Sequence, residues 1–156
     1  MDTLRRDRKP SSIRFTAISW VLVAAWAGFI FFMSSNTGGG LNQGLGLFSA
    51  LYQWMQSVQV SIVGPGVDVL SPAAHFCEYA VFGILWVNAL SCHMSLARAC
   101  VVAIVCASLY GVTDEFHQLF VVDRMADPLD WVVDTLGASL GSFLSFCICA
   151  KRNTRV

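Results

Sequence analysis

Charge is what this chain has least of. Ten Lys and Arg and ten Asp and Glu make up 13% of its 156 residues, against 56% apolar, a balance that excludes an ordinary soluble domain and a basic nucleic-acid-binding surface. It also lacks a C-x-x-C, an H-x-x-x-H, a G-x-S-x-G and a phosphate-binding glycine loop, so none of the sequence signatures for those chemistries applies. The six cysteines, Cys77, Cys92, Cys100, Cys106, Cys147 and Cys149, fall mostly inside or near the inner ends of apolar runs, which points to apolar filling and argues against a disulfide framework. No internal repeat or low-complexity tract divides the chain, and its length suits one compact unit.

What is there is apolar sequence in long blocks. Phe15 to Met33 holds 19 uncharged residues after a basic segment with Arg5, Arg6, Arg8, Lys9 and Arg14. That is longer than a signal-peptide core, and although "SSNTGG" follows it with small residues, the expectation is a retained anchor. Further blocks run from about Pro72 to Leu90, Leu96 to Val121 and Leu129 to Ala150. Each is long enough, at about 1.5 Å per residue, to cross about 30 Å of hydrocarbon. The fold class expected is all-α: a polytopic membrane protein of four transmembrane helices. Residues 1–14 form a basic amino-terminal segment, 15–150 the membrane domain and 151–156 a basic tail.

Charge sets the expected orientation. The amino-terminal five, Arg98, and Lys151, Arg152 and Arg155 put nine of the ten basic residues on one side, which the positive-inside rule makes cytoplasmic, with both termini. Eight acids, Asp68, Glu78, Asp114, Glu115, Asp123, Asp127, Asp130 and Asp134, fall in the outer half with Arg124 alone among them. Leu45 to Val63 is also uncharged, but Leu47, Leu51, Met55, Val58 and Ile62 recur at helical steps while Ser49, Gln53 and Gln56 share another face. A fifth span would throw the basic tail outside. The expectation is an interfacial or re-entrant helix between the first and second spans, hinged by "TGGGLNQGLG" and "GPG".

The scarce charge is concentrated in "YGVTDEFHQLFVVDR". Asp114 to Gln118 lie about 24 to 30 Å along the third span, at the outer edge of the hydrocarbon. His75 and Glu78 open the second span there, and Asp130 and Asp134 the fourth. Spacings of three and four residues put His75 with Glu78, Asp114 with His117 and Gln118, and Asp130 with Asp134 on shared faces, which should turn inward from lipid and meet. Glu115 and His117 point about 200° apart on a helix. Asp114 and His117 are therefore expected to look into the bundle, and Glu115 to lie toward Arg124 or the outer loop. Arg124, facing eight acids, suits a carboxylate or phosphate through paired hydrogen bonds.

Some of these residues have structural readings. "DPLD" makes Asp127 an N-cap with Pro128 at the first helical position and Asp130 in the first turn, whereas Asp134 is past the reach of free backbone donors. Ser71 and Pro72 are read as capping the second span. Gly137 and Gly141, with Ser145 below, form a small-xxx-small step for close helix approach.

The strings "TDEFHQLFVVDR", "DWVVDTLGASLG" and "AHFCEY", with "SSN" after the first span, together resemble the VanZ-like family of small bacterial membrane proteins over roughly Phe29 to Gly141. In the family pattern a basic residue often stands where this chain has Pro72, an Asn where it has Asp134, and a Pro-Gly where it has Val122 and Asp123. The resemblance implies a multi-pass protein of the bacterial cytoplasmic membrane with a role at the cell envelope. In the founding member that role is lowered sensitivity to lipoglycopeptides such as teicoplanin.

Three function classes follow. One is a non-catalytic binder of a lipid-linked cell-wall precursor or lipoglycopeptide, held by Glu78, Asp114, Gln118, Arg124, Asp130 and Asp134. Another is an enzyme on a polyprenyl-linked outer-leaflet lipid, with His117 or His75 as acid or base, Glu115 orienting it and Arg124 on a phosphate. A metal variant has His75, Glu78, Asp114, Glu115 and His117 around Zn or Mn, with no spacing to fix its geometry; cofactor and metal stay open. The third, a proton-linked transporter, has few polar residues to line an inward path. The bilayer itself is the one partner common to all.

Overall fold

The computed structural model describes residues 12–35, 46–66, 68–122, 124 and 126–153. The basic residues up to Lys9, the glycine-rich stretch 36–45, Asp123 and Arg155 lie outside them. The described residues form five helices: α1 Ile13–Ser34, α2 Gly46–Val63, α3 Leu70–Leu90, α4 Leu96–Gln118 and α5 Pro128–Asn153. Four of these, α1, α3, α4 and α5, are long and apolar enough to span a membrane; α2 is not among them. The protein is therefore a multi-pass membrane protein of four helical spans. The third block stops at Gln118 rather than Val121, because the chain leaves the helix through turns closed by Phe120 N–H to His117 O and Val121 N–H to Gln118 O.

Contacts along the seams give the helix directions. On α3 and α5 the pairs run in step, Phe76 against Gly137 and Ala80 against Gly141, so these two helices are parallel. Ala27 with Tyr110 and Ser34 with Gln118 make α1 and α4 parallel as well. Trp20 with Trp86 and Trp26 with Glu78 make α1 and α3 antiparallel, as Ser108 with Thr135 and Glu115 with Asp127 do for α4 and α5. The spans thus alternate up and down.

Packing follows from side-chain size. Buried positions of α4 are small, Ala99, Ala103, Ala107 and Gly111, as are Gly137, Ala138, Gly141 and Ser142 on α5. Into the space they leave, α3 inserts Tyr79, Phe82 and Val87, all but fully buried, with Val23 and Ile30 of α1 packed in the cluster of Tyr79 and Phe82 and Val87 in a second one with Ala99 and Ala103. Large apolar side chains face outward instead, among them Val105, Leu109 and Phe116 on α4 and Leu136, Leu140 and Phe143 on α5. That is the arrangement a lipid solvent favours, since helices associate there by close packing of small residues rather than by burying large ones.

Two helix starts differ in how they are capped. The Asp127 carboxylate accepts from Leu129 N–H at 2.8 Å, with Pro128 beginning α5. At α3, however, Ser71 and Pro72 are not the cap, because the helix starts earlier, at Leu70. Asp68 accepts from the N–H groups of Leu70 and Ser71, and Gln59 of α2 accepts from those of Val69 and Leu70. Gln59 is thereby a tie between α2 and the bundle.

The orientation inferred from the nine basic residues is testable. In a background lacking the six native cysteines, an impermeant thiol reagent added to intact cells should label a cysteine at Asp68 and spare one at Lys151. The opposite pattern would invert the whole assignment.

Candidate functional site

At one end of the bundle α1 and α4 finish and α3 and α5 begin. Here the small-residue stripes turn polar: Ala103, Ala107 and Gly111 give way to Asp114 and Gln118 on α4, and Asp134 lies one turn before Ala138 on α5. Four helices each bring polar groups to this level.

The innermost contact joins α3 to α5. His75 Nδ1 lies 3.1 Å from Asp134 Oδ1, with both residues buried. Gly111 makes room for that carboxylate, since a methyl group there would sit 3.3 Å from Asp134 Oδ2 and 3.2 Å from the Trp131 ring. A second cluster joins α1 to α4. The Gln118 amide nitrogen donates to Ser34 Oγ at 3.2 Å and, at a long 3.5 Å, to Asp114 Oδ2. The next residues along pair too, His117 Nε2 lying 3.0 Å from Ser35 Oγ while its ring stacks on Phe31 at 4.2 Å. Ser35 already donates to Phe31 O at 2.6 Å. Its single proton is thus used, so the His117 contact is served by a proton on Nε2.

Each expected site residue has a definite place. Asp114, Gln118, His75 and Asp134 are buried at the helix contacts just described. Glu78 is half-buried one turn beyond His75, within electrostatic range of His75, Asp114, Asp134 and Arg124. His117 is half-buried at the α1–α4 edge rather than within the bundle centre, because its Phe31 and Ser35 partners lie there. Glu115 is buried and its Oε2 accepts from the Asp127 backbone N–H at 2.7 Å, so it clasps the loop before α5. Arg124 and Asp130 are half-buried at the mouth, with Arg124 N–H closing a turn onto Val121 O.

The carboxylate in contact with His75 is Asp134, while Glu115, named from the sequence as a group that could orient a histidine, accepts from the Asp127 N–H. Ser34 and Ser35 had no assigned role; their only sequence signal was "SSN" directly after an apolar span. Tyr79 was also missed, its buried hydroxyl without a partner among the described residues, one turn from His75. Among the described residues no three His, Cys, Asp or Glu side chains converge closely enough to hold a metal ion, so the five residues named for a metal form no ligand set in this arrangement.

A four-span membrane bundle with a buried polar level at one end, drawn from all four spans, is the class these features define. The chain belongs to the VanZ/LLP1 family, whose model matches residues 19–149 and so takes in every residue of the polar level. Searches of curated proteins and of solved structures gave no match.

Proposed function

We propose that this protein, at the outer face of the bacterial cytoplasmic membrane, binds the polar part of a lipid-linked cell-wall precursor or a lipoglycopeptide directed against one, and so contributes to teicoplanin-type resistance. The carrying observation is the buried polar level: Asp114, Glu115, Gln118 and Asp134 are removed from water at one depth. Polar groups held inside a membrane are costly and mark functional sites, provided they face a partner. The expected orientation turns this level outward, where envelope precursors and antibiotics meet the membrane, and the family's founding member supports that setting.

A second reading, an integral membrane enzyme, is favoured by one contact. The buried His75–Asp134 contact is a histidine held by a carboxylate, the arrangement that general acid–base chemistry uses. The transporter reading has less to stand on, because the α4 stripe beyond Gly111 is alanine.

Purified protein in lipid nanodiscs, titrated separately with a lipid-linked cell-wall precursor and with teicoplanin, tests the proposal. Saturable binding with the precursor recovered unchanged is the expected result. Recovery of a processed precursor would establish the enzyme instead, and absence of saturable binding to either would end both readings.

A further inference from the structure

We propose that the polar level selects a ligand group that donates hydrogen bonds, a hydroxyl or an N–H, over phosphate, and that Ser34 makes Gln118 the specificity-determining residue by holding its amide oxygen available to that group. This rests on the binding reading above and names the chemistry it recognises.

Hydrogen-bond accounting carries it. The Gln118 amide faces Ser34 Oγ and Asp114 Oδ2 with its nitrogen. Turned over, its oxygen would confront an oxygen of Asp114, which in the ionised form sets two acceptors together with no proton between them. Ser34 also lies against the Asp114 carboxylate, so one hydroxyl braces both partners. Gln118 Oε1 is therefore left over, on a side chain only 1% exposed, and it has no hydrogen-bond partner among the described residues. The same accounting applies nearby. Asp134 gives Oδ1 to His75 and keeps Oδ2, while Glu115 gives Oε2 to Asp127 and keeps Oε1; Asp114 keeps Oδ1. These residues are 0%, 8% and 3% exposed, and Asp134 lies within electrostatic range of Asp114 and Glu115.

Four buried oxygens that accept, the Gln118 amide oxygen always and the three carboxyl oxygens when ionised, are complementary to donors, and leaving such groups unmatched is costly. Phosphate offers acceptors and negative charge to a level whose carboxyl groups, Glu78 and Asp130 among them, outnumber its cationic side chains Arg124 and His75, which electrostatic complementarity disfavours. Among the described residues the Tyr79 hydroxyl, one turn from His75, is a buried donor without a partner. Sugar hydroxyls and amide or ammonium N–H groups have the required character. They occur both on glycosylated envelope lipids and on lipoglycopeptides.

The test uses phosphatidylcholine nanodiscs carrying the full chain, with three probes: a diglycosyl diacylglycerol, a phosphatidic acid of the same acyl chains, and teicoplanin. Native mass spectrometry should show the sugar lipid retained on the order of tenfold over phosphatidic acid, the size of one well-made buried hydrogen bond. Gln118→Leu should abolish that preference. Ser34→Ala, which leaves the amide in place but unbraced, should weaken it, and Ser34→Thr should restore it. Saturation by the sugar lipid, by teicoplanin, or by both supports the donor rule and identifies the source. Phosphatidic acid bound as well as the sugar lipid would overturn this proposal alone, as would a preference unchanged in Ser34→Ala and in any Gln118→Leu protein that accumulates. No saturable binding of any probe would overturn the binding reading and this proposal with it.

Discussion

Alanine at Gly137 and Gly141 together should force α5 away from α3 and leave little folded protein in the membrane. A methyl group at Gly141 would strike the carbonyl oxygen of Ala80, one at Gly137 that of Phe76, and one at Gly83 that of Ala138. These obstacles are backbone, which cannot swing aside as a flexible side chain would. Overpacking of this kind costs about 1–3 kcal/mol per position, and the two sites lie on one seam, so the losses compound. Gly28, with nothing within 4 Å of its would-be Cβ, is the control: Gly28→Ala should stay within about 0.5 kcal/mol of the parent. Thermal unfolding in detergent, read alongside membrane accumulation, checks both. A double variant as stable as the parent would mean that α3 and α5 do not approach as described.

The second large effect is expected at the histidine–carboxylate pair. His75→Leu should cost about 3–5 kcal/mol, the usual penalty for removing one partner of a buried pair, because it strands Asp134 with neither oxygen satisfied. Asp134→Asn should cost far less. Its amide oxygen still accepts from His75, and Asn is the residue the family pattern has there. The double change His75→Leu with Asp134→Leu should recover much of the loss, since an apolar pair has no stranded charge. Chemical unfolding of the parent, His75→Leu, Asp134→Leu and the double variant gives the coupling directly. A double variant that loses the sum of both single losses would show that the two residues do not interact.

Much of the architecture was legible because membrane helices announce themselves by length and apolar composition. The Asp127 cap was legible too, its signal lying within four consecutive residues. What escaped was set in space. Nothing local in "DVLSP" reveals that Gln59, ten and eleven residues upstream, would help to cap α3. Helical spacing put Asp114 with Gln118 and Asp130 with Asp134 on shared faces, but no periodicity pairs His75 with a residue 59 positions away. Gly137 and Gly141 read as a close-approach step, while Gly83, their counterpart on α3, stood in an ordinary apolar run. Ser34 and Ser35 were hardest of all. Small hydroxyl residues at a span end are common, and only the arrival of His117 and Gln118 beside them gives them work.

The central claim, that the polar level serves function and is not merely a clasp between helices, is tested most directly by His117→Ala. Its ring is half-buried, stacked on Phe31 and bonded to Ser35 at the edge of the level, so the bundle should survive its removal. Teicoplanin susceptibility should be measured in cells expressing the parent or the variant, with membrane levels of each protein quantified in the same cultures. The parent should lower susceptibility, and His117→Ala should abolish that protection while accumulating to the parent's level. Protection left intact in His117→Ala, or lost only in step with the protein itself, would contradict the account.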